Sequence, residues 1–159
     1  MAADERDRLC DEFIASPEGR KAAADGDEAL IASLAIDFCA DYVDGRPLRW
    51  SPVVVELFMA SWLPRKVLLE RETLERVQST LDAWVRFAGR KSGTPKWAVE
   101  QTCSSIPQWR REMLETSDDE GAAGPAKQLI MAAQEAGVDF SDQTALDTFI
   151  AGWNARSGF

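Results

Sequence analysis

Between residues 70 and 90, apolar side chains recur every three or four positions. Leu74, Val77, Leu81, Trp84, Val85 and Ala88 form one stripe, with Glu and Arg between them. That period is helical; a half-buried strand would alternate every second residue. The stretch predicts a long amphipathic helix with its stop in Gly89 to Gly93, and the rest of the chain has to pack around it.

The remaining segments follow the same grammar. Residues 4–15 place Leu9, Phe13 and Ile14 at helical spacing. Ser16-Pro17 and Ser51-Pro52 each pair a capping hydroxyl with a proline at the first helical position. Asp27 is the expected N-cap of a helix whose inner face steps through Leu30, Ile31, Leu34, Phe38 and Tyr42. The helix after Ser51 is expected to use Val54, Leu57, Phe58, Ser61 and Trp62 inwardly and to end before Pro64. Thr94-Pro95 opens a helix with Trp97, Val99, Cys103 and Ile106 on its apolar side, and Pro107 divides it ahead of Met113 and Leu114. Pro125 and Ser141 open the last two, with Phe140 placed to staple onto the final helix. The prediction is an all-α fold of about seven or eight short to medium helices in one compact domain over 1–159. The acidic stretch 116–124 is the candidate mobile loop and subdomain boundary.

The chemistry is bounded by what is missing. The 159 residues contain no histidine, which removes imidazole bases, Ser-His-Asp triads and His-ligated zinc together. Cys10, Cys39 and Cys103 are odd in number and widely spaced, so small buried hydrophobes in a reducing compartment are expected rather than disulfides. Asp37 and Asp41 stand one helical turn apart, the spacing of paired carboxylates in helix bundles, but lack the Glu-x-x-His companions of such sites. Gly121 to Lys127 places glycines and a lysine before a helix without the spacing or the strand of a phosphate loop. No catalytic residue, metal site or cofactor is expected. The charged N-terminus and the short apolar runs point to neither a signal peptide nor a membrane span, so a cytoplasmic setting is expected.

Charge is distributed unevenly. Residues 1–45 hold four basic and twelve acidic side chains, residues 46–111 twelve and six, and residues 112–159 two and nine, within a net charge of −9. In the basic middle the positives gather at turns: Arg46 and Arg49, Arg65 and Lys66, Arg90, Lys91 and Lys96, with Arg110 and Arg111 beyond. Either these cations complement helix C-termini and pair with the chain's own acidic ends, or they form a face for an anionic partner. Trp50 and Trp97 lie beside them and would add aromatic contacts if exposed.

Three motifs read together resemble a known pattern: Pro47 to Pro52, Trp62 to Val67 and Ala83 to Arg90, followed by Gly124 to Lys127 and Gly137 to Asp139. They resemble a helical region in proteins of high-GC Gram-positive bacteria, some of them described as plasmid ORF-3-like. The similarity spans roughly residues 30–156. It implies a helical fold in a bacterial cytosol and brings no activity, cofactor or site residue.

Three functions fit these observations. The leading expectation is a non-enzymatic module that binds another protein or a second copy of itself, for regulation. The alternatives are a nucleic-acid-binding regulator using residues 46–111, which the negative net charge opposes, and a histidine-free enzyme.

Overall fold

In the computed structural model, which describes residues 1–157, the chain is all-α. The helices are α1 (Ala3–Ala15), α2 (Pro17–Ala22), α3 (Glu28–Tyr42), α4 (Pro52–Glu56), α5 (Leu63–Lys66), α6 (Arg71–Ser92), α7 (Lys96–Ser105), α8 (Arg110–Asp118), α9 (Pro125–Glu135) and α10 (Gln143–Ser157). A π-helical stretch, Leu57–Trp62, joins α4 to α5, and a 3-10 turn, Pro107–Trp109, joins α7 to α8. Counting each joined pair as one rod gives eight among the described residues, within the expected number.

The long helix α6 is the axis. Its stripe is buried throughout: Leu74, Val77, Leu81, Trp84, Val85 and Ala88 are all in the core. Helices α2, α3, α7 and α8 pack around it. Phe13 from α1 meets Trp84 and Phe87 edge-on, at centroid separations of 5.3 and 5.5 Å. A second aromatic cluster joins Phe38 to Trp50, Phe58 and Trp62. Edge-to-face and tilted contacts of this kind add to the stabilisation that burial of the rings already gives.

The inner face of α3 differs from the one expected. The buried residues are Ile31, Ala32, Ala35, Ile36, Phe38 and Cys39, whereas Leu30 and Tyr42 are exposed. Polar residues are few in this helix, Glu28, Ser33, Asp37 and Asp41, so the pattern marks the buried face only weakly. Ala32 and Ala35 take two of the buried positions, and the helix packs against both α1 and α6.

Pro64 does not end its helix. The N–H of Leu63 donates to the carbonyl of Phe58, five residues back, and Pro64 sits in the first turn of α5. Proline has no N–H to continue the bonding pattern, and the wider i to i−5 turn just ahead of it is where the rod absorbs that loss without ending. The extra residue in the π turn rotates the face that follows. Val55, Phe58, Met59 and Leu63 point inward, while Leu57 and Ser61 face outward.

Two caps also depart from expectation. Asp27 stands at the N-cap of α3 as expected, but with a left-handed backbone, φ 59°, and its side chain makes no cap bond. Its carboxylate instead accepts from Thr73 Oγ1 at 2.9 Å and from Arg76 Nη1 at 2.7 Å, tying the start of α3 to α6. At α10 the cap is Asp142, not Ser141: Asp142 Oδ1 accepts from the N–H of Ala145. Ser16 and Ser51 cap α2 and α4 as expected.

The hairpin of α9 and α10 stands apart from the main apolar cluster, whose residues all lie between Leu9 and Leu114. It is fastened where the Gly124 N–H donates to the Arg65 carbonyl at 2.8 Å. The expected loop at 116–124 is shorter than predicted, since α8 runs to Asp118 and Glu120–Ala122 forms a 3-10 turn.

Candidate anionic-partner face

The seven candidate cations separate into two groups. Four sit at helix C-termini: Arg65 and Lys66 in the last turn of α5, Arg90 and Lys91 in the last turn of α6. There the helix dipole favours positive charge. Arg90 also forms a fork with Glu18, Nε to Oε1 at 2.8 Å and Nη2 to Oε2 at 2.9 Å. Hydrogen bonding by that guanidinium holds the Glu18 carboxyl down at about 2. Lys91 reaches Glu12 at 2.5 Å. So part of the basic middle is neutralised by the acidic N-terminal segment, and these pairs bind α1 and α2 to the end of α6.

The second group is Arg46, Arg49 and Lys96. Arg46 has no ion pair among the described residues, and Arg49 has one long contact, 3.4 Å to Asp44. Lys96 stands in the first turn of α7, where the dipole opposes a cation; Glu100, one turn on, is near enough to feel its charge but is bonded to Arg86. No helix-capping role accounts for these three.

The turn that presents the two arginines is rigidly built. Asp44 Oδ1 accepts the N–H of Arg46 at 3.1 Å, and the Arg49 N–H donates to the Arg46 carbonyl. Trp50 lies beneath, 9% exposed, its indole N–H donating to the Pro47 carbonyl at 2.8 Å. Trp50 is therefore an anchor and not an aromatic contact: Phe38 and Phe58 already hold its ring. Trp97 differs. It is 71% exposed, although its place in the sequence pattern put it on the apolar side of α7. The Val99, Cys103 and Ile106 positions carry that packing.

Ser92 and Thr94 were not among the candidates. Ser92 is the last residue of α6 and Thr94 lies just beyond it, past Gly93, which takes φ 71°; the Thr94 N–H donates to the Gly89 carbonyl. Their hydroxyls lie 2.9 Å apart. Together with Arg46 and Arg49 they border one surface cavity of about 340 Å³, floored by Pro47 and Leu48. The pairing spans more than forty residues, and no local spacing announces it.

The groups that resembled catalytic chemistry are occupied. Arg6 bridges the two carboxylates of α3, 2.7 Å to Asp37 and 2.6 Å to Asp41. Its fork holds Asp41 below the usual carboxylate range. Lys127 is buried, and its Nζ donates to the Pro64 carbonyl at 2.5 Å. It fastens α9 to α5 and does not face a phosphate, and burial lowers its pKa. Burial likewise pushes the Cys39 and Cys103 thiols up to about 12. Among the described residues no helix is long and apolar enough to cross a membrane.

Comparison with protein-family models, with curated proteins and with solved structures finds no match.

Proposed function

We propose that this chain is a non-enzymatic helical module that binds an acidic segment of another protein, as a regulatory component of a bacterial cytosol. The exposure of Trp97 is the observation that supports it most. Trp50 and Trp84 are buried, and Trp62, Trp109 and Trp153 are half-buried. Trp97 alone presents an open indole, in the same turn as the unpaired Lys96 and three residues after Thr94. Tryptophan and arginine dominate the energetics of protein interfaces because they combine large contact area with charge-assisted bonds. The Arg6 clamp, the buried Lys127 and the un-ionised thiols favour binding over catalysis.

The test is affinity capture from a lysate of a high-GC Gram-positive bacterium, comparing the wild-type chain with Trp97→Ala. The expected result is a protein retained by the wild type, released by high salt, and lost with Trp97→Ala. Equal retention by both, or retention abolished by nuclease, would overturn the reading. The second outcome would favour a nucleic-acid ligand.

A further inference from the structure

We infer that the cavity between the Asp44–Trp50 turn and the end of α6 binds a carboxylate with an apolar body. Its volume, about 340 Å³, lies at the lower end of the range of small-ligand sites. Pro47 and Leu48 give it an apolar floor, and Arg46 and Arg49 stand at its rim. A guanidinium offers two parallel donors that match the two oxygens of a carboxylate. Arg46 has no competing partner among the described residues. Arg49 is 68% exposed and holds Asp44 only at 3.4 Å, so a ligand can draw it away at little cost. Across the cavity the Ser92 and Thr94 hydroxyls share one hydrogen bond. The Ser92 hydroxyl can also donate to the Gly89 carbonyl, at 3.4 Å; when it donates to Thr94 instead, the Thr94 hydroxyl retains its own proton for a ligand oxygen.

The charge balance selects a monoanion. Two guanidiniums face one nearby carboxylate, Asp44, and the negative end of the α6 dipole lies beside Ser92. Lys91 is already paired with Glu12. With the helix end counted at roughly half a charge, about half a positive charge remains uncompensated, which suits a monoanion better than a phosphate dianion of about −2 near neutral pH. The rigid turn beneath also limits the cost of binding, since Trp50 and Asp44 hold the backbone that presents both arginines. A polypeptide end with an apolar last residue and a free apolar acid share this chemistry.

The probes are 3-phenylpropionate, the peptide acetyl-Gly-Gly-Leu with a free carboxyl end, the amide of each, and inorganic phosphate. Binding is followed through the backbone amide signals of Arg46, Ser92 and Thr94 in NMR titrations at low salt. At least one carboxylate should saturate these shifts. Its amide and phosphate should bind at least about tenfold more weakly, as expected for loss of a charge-assisted bond. Arg46→Ala/Arg49→Ala should weaken it by about tenfold or more while the other signals stay in place, because both side chains are exposed. Saturation by the peptide identifies a polypeptide end, and saturation by phenylpropionate alone identifies a free acid; either supports the inference. No saturation by either carboxylate, an amide that binds as well as its acid, or a double variant that binds like wild type would overturn it. So would phosphate binding as tightly as the acids. These probes need no partner protein, so their failure leaves the Trp97 reading standing.

Discussion

At the scale of single residues, several of the chain's acids fasten one helix to another. Glu18 is the strongest example. Its fork with Arg90 joins α2 to the end of α6, across more than seventy residues of sequence. Its side chain is 18% exposed, so water competes less for its oxygens than at a free surface; the guanidinium, at 57%, is more open to screening. Because its folded pKa is depressed to about 2 from an ordinary 4.5, the bond contributes fully above pH 4.5. The contribution is lost as pH falls toward 2, where the folded carboxyl takes up a proton. Glu18→Gln should therefore cost about 1 kcal/mol near neutral pH, the upper end for a partly exposed pair. Urea unfolding of both proteins at several pH values checks this. The difference should shrink steadily below pH 4.5, and a difference independent of pH would show that the bidentate bond does not hold in solution.

At the scale of elements, close approach decides what periodicity leaves open. Gly19 opens α2 directly against the end of α1, and a methyl group there would overlap the carbonyl oxygen of Phe13. That oxygen is backbone and already accepts from Ser16, so it has nowhere to move. Gly19→Ala should destabilise the fold by about 3 kcal/mol, at the upper end of overpacking costs. Chemical denaturation measures it, and a loss below about 1 kcal/mol would mean that α2 sits farther from α1. The same physics explains what could be read from the sequence and what could not. The α6 stripe was legible because its apolar positions recur every three or four residues with charged ones between, and Ser16 and Ser51 because a cap is a local bond. The faces of α3 and of the α4–α5 rod were not. In α3 two of the buried positions are alanines, which carry only a weak apolar signal, and in the rod the π turn shifts the register by one residue without any local mark.

At the scale of the whole molecule, the uneven charge along the sequence resolves into two uses. The acidic N-terminal segment meets the basic middle through Glu12, Glu18 and Asp27. The middle keeps Arg46, Arg49 and Lys96 facing outward. The charges can be counted along the sequence, but which of them are spent inside cannot be read there, because the pairs join residues far apart in the chain. Trp97 was visible as a candidate, and Ser92 and Thr94 were not, since only the turn at Gly93 brings them to the arginines. The acidic C-terminal segment is used differently. Of it, α10 packs substantially only on α9, and none of its described side chains is buried; Phe149 and Trp153 stack on each other half-exposed. The hairpin's links to the rest run through Gly124 and Lys127 onto the α5 carbonyls. With little apolar surface removed from water, this unit should open before the α6 core does. Native-state hydrogen exchange should show α10 amides opening at a free energy at least about 2 kcal/mol below those around Leu81 and Trp84. Equal protection in the two regions would mean that the hairpin and the core unfold as one cooperative unit, and that two backbone-directed bonds and a half-buried face suffice to couple them.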